Sequence, residues 1–231
     1  MKISEMNWQQ LEHYLLADDR AIVPLGSTEQ HAFLSLSVDS ILAEKVAVDA
    51  AQLCNVPVFP VMPFGMTPTF CDYPGTISLS MQTYVGLLYD ILNSLKRQGF
   101  RRILLVNGHG GNSPAQNIIS EWMVNNREVS VQLYNWWNAP LTWEKVIATD
   151  AVASHASWME NFAWTRLDNV TQPDVRKQMI SLAELRKMNP AQARQYLGDG
   201  NYGGSYQRPD DDMQAIWDTA VSELRDTIES L

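Results

Sequence analysis

Residues 21–39 read AIVPLGSTEQHAFLSLSVD. The apolar run at 21–25 closes on Gly26, which predicts a buried strand ending in a turn. Glu29 and His31 follow two residues apart, so an extended backbone turns both side chains to one face. Asp39 lies where SVDS opens an amphipathic helix expected from Ser40 to Cys54, with Asp39 or Ser40 as its N-cap. A carboxylate, an imidazole and a second carboxylate converging past a strand end have the chemistry of metal ligands.

The flanking sequence supplies the rest of a layered fold. Trp8, Leu11, Tyr14 and Leu15 are spaced as one face of a short helix over 7–17. VPVFPVMPF (56–64) reads as a second strand, and its prolines suit a strand end or edge. Pro74-Gly75 marks a turn. Val85, Leu88, Ile91, Leu92 and Leu95 predict a helix from Met81 to Gln98, stopped by Gly99. RRILLVNGHGGN gives a third strand, Ile103–Val106, running into a glycine loop. Ser113-Pro114-Ala115-Gln116 then has the pattern of an N-cap, an N1 proline and a capping-box glutamine. Val129–Tyr134 alternates as a fourth strand. Strands separated by helices imply βαβ units and an α/β fold with a mostly parallel sheet covered on both faces. Further helices are expected at 154–166, 180–197 and 210–231, with a glycine-rich loop over 198–210.

Composition narrows the function classes. Across 231 residues, 17 basic against 26 acidic side chains give a net charge of −9, which argues against nucleic acid or an anionic membrane as partner. No apolar run has the length of a membrane span. MKISEMNWQQLEHYLL lacks the apolar core of a signal peptide, and Cys54 and Cys71 form no disulfide framework, so the cytoplasm is the expected compartment. A single domain over 1–231 is the simplest organisation.

Of four histidines, His13 falls off the apolar stripe of its helix and is expected at the surface. His31, His109 and His155 sit in polar or glycine-rich contexts, two of them just past strand ends. In parallel α/β sheets that edge is where sites form, so the order of elements alone brings the His31 and His109 loops together.

PLGSTEQH with SVD, then GMTPTFCDYPGTISL, LLVNGHGGN and HASWME, resemble in order the motifs of the creatininase family of metal-dependent amidohydrolases. The resemblance implies a three-layer α/β/α sandwich holding two divalent ions, with zinc, manganese and iron all suited to the ligands. It implies Glu29 and His109 on one ion, His31 and Glu160 on the other, Asp39 bridging both, and His155 as the acid/base residue. It also implies a small-molecule substrate and a homo-oligomer, a hexamer being one candidate.

The chain departs from the family pattern in places. The family reads EQHGPHLPLGTD where this chain reads EQHAFLSLSVD, with Leu34 near the place of a second histidine. Phe70 replaces a histidine in the middle motif, and Asn161-Phe162 replace Thr-Ser. Gly111 stands where creatinine-hydrolysing members carry a glutamate ligand. The expected reaction is attack by a two-metal-activated water on the C–N bond of a small non-peptide, cyclic amide, and these departures argue against creatinine as that substrate. The alternatives are ring-opening of a small cyclic ketone or oxidised sugar derivative, and an inactive family member acting as a binding protein. Trp136, Trp137 and Phe70 are candidate pocket walls. A phosphate cradle at NGHGGNS lacks a P-loop lysine, and neither Cys54, Cys71 nor Ser27 has the context of a nucleophile.

Overall fold

The computed structural model covers residues 1–231 and centres on a parallel sheet, β1 (Arg20–Leu25), β2 (Arg102–Asn107) and β3 (Ser130–Asn135), in the order β1-β2-β3. Arg20 pairs with Arg102 and Arg102 with Ser130, while Leu25, Asn107 and Asn135 align at the carboxyl end. Alternation along the strands divides the core in two. Ile22, Leu104 and Val106 face α2 (Val38–Cys54) and the C-terminal helix (Asp210–Glu229), whereas Ala21, Val23, Leu25, Ile103 and Leu105 face α3 (Met81–Gln98) and α4 (Ala115–Val124). This is the three-layer α/β arrangement the sequence predicts. Tyr84, Leu88, Leu92 and Leu95 form the buried stripe of α3. Each such leucine contributes about 1.5–3 kcal/mol relative to exposure. A short helix, α1 (Trp8–Tyr14), packs Leu11 and Tyr14 on this layer, leaving Trp8 and His13 exposed. No helix is long and apolar enough to cross a membrane.

Several expectations are corrected. Residues 56–64 form no strand, but they follow the β1 edge through isolated parallel bridges at Val58 and Met62. Phe59 and Met62, which are not prolines, donate to Ile22 (2.8 Å) and Pro24 (3.0 Å); Pro57, Pro60 and Pro63 have no N–H to continue the ladder. Helix α2 begins at Val38, so Asp39 lies in its first turn and caps nothing. Ser113 donates to the Gly110 carbonyl instead of capping α4. The helix expected at 154–166 is a run of turns with one 3-10 turn at Trp158–Glu160. There Ser157 Oγ bonds the Ser154 carbonyl and Thr165 Oγ1 bonds that of Glu160, local side-chain contacts that compete with a helix. The helix expected at 180–197 is two pieces, α6 (Leu182–Leu185) and α7 (Pro190–Leu197), because Pro190 starts a new helix capped by Asn189. Helix α5 (Pro140–Thr149) was not anticipated, and the 198–210 loop contains β5 (Gly204–Ser205), paired with β4 (Arg176–Lys177).

One buried carboxylate anchors the segment after α5. Asp150 accepts the Val152 N–H at 2.9 Å and both guanidinium nitrogens of Arg176 at 2.9 Å, with Arg208 adding a further ion pair. Burial would raise its pKa, but Arg176, the Val152 N–H and Arg208 outweigh burial and hold it at about 2. A folded value below the unfolded one means this stability is present above roughly pH 4 and lost as pH falls through the folded value. Asp150→Asn is expected to cost about 1–2 kcal/mol at pH 7, a modest figure because Arg176 is half exposed. That corresponds to a fall of about 2–8 °C in the thermal midpoint. The gap from wild type should narrow below about pH 4 and close as pH falls through about 2; a gap independent of pH would refute the assignment.

Candidate metal centre

The carboxyl ends of β1 and β2 deliver the two histidine loops side by side, and the side chains of the NGHGGN asparagines shape the second. Asn107 Nδ2 donates to the His109 carbonyl (2.8 Å) while its Oδ1 accepts the His109 N–H (3.1 Å). Asn112 Nδ2 donates to the Gly26 carbonyl at 3.0 Å, tying the β2 loop to the β1 loop. Gly108 lets this loop meet α2: a Cβ there would lie 2.3 Å from the Asp39 carbonyl oxygen. That contact sets Asp39 against His109. Ala32 and Ala156, each directly after a site histidine, hold left-handed backbone at φ 51° and 58°. For alanine this costs about 1–2 kcal/mol, strain of a kind found at functional sites.

Glu29, His31, Asp39 and His109 are buried, and Glu160 joins them from the Trp158–Glu160 turn. The two oxygens of Asp39 face different imidazoles. Oδ1 stands 3.1 Å from His31 Nε2, and Oδ2 stands 3.0 Å from His109 Nδ1. Glu29 Oε1 is 3.4 Å from His109 Nδ1, and Glu160 Oε2 is 3.8 Å from His31 Nε2. Two three-residue groups therefore share Asp39: Glu29, Asp39 and His109, and His31, Asp39 and Glu160. A third possible group joins Glu29 and His31 to His155.

Three observations fit divalent ions at these groups. Glu29 Oε2 is buried without a hydrogen-bond partner, and His31 Nε2 and Asp39 Oδ2 have none outside the ion pairs of the cluster itself. Donor atoms sharing an ion at about 2.1 Å lie about 3.0–3.5 Å apart, close to the observed spacings. The outer ring nitrogens are also engaged, with His31 Nδ1 3.2 Å from the Glu29 carbonyl and His109 Nε2 3.0 Å from that of Met66. Donation there leaves the inner nitrogens as lone pairs directed into the cluster.

The electrostatics agree. Burial disfavours a charged His31, yet Asp39, Glu160 and Glu29 overcome it and lift its pKa to about 10. His109 is raised well above the ordinary imidazole value because Glu29 and Asp39 likewise outweigh burial. Burial would raise Asp39, but His31 and His109 hold it below the usual carboxylate range. Glu160 is pushed up to about 7 by burial, against the pull of His31. The carboxylates thus hold protons on two imidazoles, positions a divalent cation would take over.

His155 is set apart. Burial, then His31, lowers its pKa to about 4, so it is neutral at pH 7. Its Nδ1 lies 3.7 Å from Glu29 Oε1. Gln30 orients the ring: its Oε1 accepts the Ala32 N–H, its Nε2 donates to the Gly200 carbonyl, and the same Nε2 lies 2.8 Å from His155 Nε2. Nε2 also stands 3.2 Å from the Gln30 backbone carbonyl: a proton on Nε2 bonds that carbonyl and turns the Nδ1 lone pair to the cluster, whereas a proton on Nδ1 leaves Nε2 to accept from the Gln30 amide. Phe70 stacks on the ring at 4.8 Å and 20°.

A cleft of about 320 Å³ opens over the cluster, bordered by Phe70, Trp137, Trp143, His155, Met159 and Tyr202. Trp136 does not border it: that ring is buried against Phe162 and Trp217 in the α2 layer. Leu34 is also core, and Asn161 bonds the Tyr206 carbonyl and Arg166 instead of lining the cleft. Neither cysteine borders it. A larger cleft of about 650 Å³, beside Met1, Tyr14 and Cys54 near the start of β1, holds none of the ligating groups. Sequence reasoning missed Gln30, Trp143 and Tyr202. Gln30 lay in plain view inside EQH; Trp143 sits on the unanticipated helix, and Tyr202 in a loop without apolar period.

Comparison with known proteins places this arrangement. Over 118 residues the chain is 32% identical to the creatinine amidohydrolase of Pseudomonas putida, covering 48% of this chain and 45% of that enzyme. It is 35% identical over 101 residues to the mycofactocin precursor peptide peptidase of Mycolicibacterium smegmatis (41% and 40% covered). It is 28% identical over 107 residues to the 3-dehydro-scyllo-inosose hydrolase of Thermotoga maritima (46% and 34% covered). Each match spans less than half of the relative's length. The crystal structure of a creatinine amidohydrolase superposes with a TM-score of 0.85 at 22% identity, covering 99% of this chain and 96% of that one. Solved creatininase forms described as zinc-zinc and manganese share the fold, with TM-scores of 0.80 and 0.77 at 21% and 20% identity. A family model described as creatinine amidohydrolase matches residues 4–228, and the chain belongs to the creatininase family.

Proposed function

We propose that this chain is a metal-dependent hydrolase that cleaves a non-peptide C–N bond in a small cyclic amide other than creatinine. The observation that carries the reading is Asp39, whose two oxygens each face a different imidazole. Glu29, Asp39 and His109 would hold one divalent ion, and His31, Asp39 and Glu160 the other. Bound ions of this kind supply an acidified water and a Lewis acid for a carbonyl oxygen. The chain's own residues do the rest. His155, neutral at rest, would take a proton at Nδ1 from the attacking water and pass it to the departing nitrogen as the C–N bond breaks. Gln30 holds that ring in place, and Phe70, Trp137, Trp143 and Tyr202 flank a planar group and exclude water. Gly111 offers no carboxylate to a polar substrate, which disfavours creatinine. Likeness to the inosose hydrolase supports a second reading, ring-opening of a cyclic ketone. Family membership supports a homo-oligomer, which light scattering tests.

The experiment loads the purified chain with zinc, manganese or iron in turn. Up to two ions per chain are expected by elemental analysis. Because His31 and His109 are protonated without metal, loading should release protons, and affinity should rise with pH between about 6 and 8. The loaded protein is then screened against small amides, creatinine and cyclic ketones. Failure to bind any metal would overturn the hydrolase reading in favour of a binding protein. Creatinine turnover matching the best substrate would overturn the exclusion drawn from Gly111.

A further inference from the structure

We infer that the metal cleft continues into a second, apolar lobe that selects substrates bearing an uncharged alkyl or aryl substituent. This deepens the hydrolase reading and rests on it. The lobe is a cavity of about 360 Å³ whose walls include Met66, Pro68, Thr69, Met81 and Pro114. It shares Phe70, His109, Gly111 and Tyr202 with the cleft over the cluster, so the two adjoin at these side chains.

Gly111 lets the wall shared by the two lobes pack closely. A Cβ at that position would lie 2.0 Å from the Met66 carbonyl oxygen and 2.4 Å from His109 Nε2. The Met66 carbonyl is the partner of that same Nε2 at 3.0 Å, so the loop cannot withdraw to admit a side chain without releasing His109. Phe70 forms the ridge between the lobes, held by stacking on His155 and by Tyr202 at 6.1 Å.

The chemistry of the walls names the occupant. The lobe's lining contains no lysine, arginine, aspartate or glutamate, and its one titratable ring besides Tyr202, that of His109, is turned into the cluster. A charged substituent would lose its water there without gaining a partner. An alkyl or aryl group loses nothing polar and buries against methionine, proline and phenylalanine. At about 320 Å³ the cleft itself is at the small end of ligand sites, enough for a reacting head group.

Straight-chain hydroxamates test this, because the head group chelates metal while the tail probes the lobe. Calorimetry on the zinc-loaded chain should show Kd falling about two- to fourfold per added methylene from acetohydroxamate to hexanohydroxamate. Thr69→Trp fills the lobe, and Met81→Glu puts a carboxylate in it at a helix start that tolerates acid. In each variant, the ratio of hexano- to acetohydroxamate affinity should collapse toward one. A flat series in wild type, with acetohydroxamate still bound, would overturn the lobe alone. Binding of no hydroxamate would overturn the metal-centre reading and this inference with it. Chain-length gains unchanged in both variants would also overturn the assignment.

Discussion

Asp39→Ala is expected to strip both ions from the chain and abolish turnover. Each proposed ion has three protein donors, and Asp39 is the one shared, through Oδ1 beside His31 and Oδ2 beside His109. Losing an outer partner of a ligand already costs about 10–100-fold in metal affinity, so losing a direct ligand should cost more than that at each ion. By contrast, Glu29→Ala and Glu160→Ala each remove a donor from one group only and should spare the other ion more. Elemental analysis after dialysis reads the outcome, with thermal melting as the check on folding. Asp39 sits in the first turn of α2 and caps nothing, so its removal should leave the helix in place. Retention of both ions by a folded Asp39→Ala protein would end the bridging assignment.

How much of this could be read beforehand depends on where each residue's partners lie. Ile103–Val106 and Met81–Gln98 were legible because their apolar periods are local and are sealed by Gly108 and Gly99. The meeting of the Glu29 and His109 loops followed from parallel-strand order alone. The 154–166 segment misled because alternating apolar and polar residues there carry serines and a threonine whose hydroxyls bond neighbouring backbone. The left-handed Ala156 gives no sequence warning either. Trp136 and Trp137 are adjacent and chemically identical, yet one lies in the core and the other borders the cleft. Only the 3-10 turn at Trp136–Asn138 decides which way each ring points, and no pattern in the sequence announces it. Metal-type residues stand out by their chemistry, whereas pocket walls depend on long-range packing.

His155→Ala is expected to keep its metal while losing about 10²–10⁴-fold in turnover, the usual worth of a general acid or base. The ring lies close enough to Glu29 and His31 to be considered a ligand, so the distinction has consequences. Two features argue for the proton-transfer role. Nε2 is occupied by the Gln30 amide at 2.8 Å, and Nδ1 is 3.7 Å from Glu29 Oε1, longer than the contacts Asp39 makes with His31 and His109. A residue that protonates the leaving nitrogen should lower kcat and kcat/KM together. The loss should shrink for amides of weakly basic amines, such as anilides with electron-withdrawing rings, whose nitrogen departs with less help. Measuring zinc content and kcat across such a series separates the roles. Loss of metal in step with activity, or an equal loss for every leaving group, would make His155 a ligand or a packing residue instead.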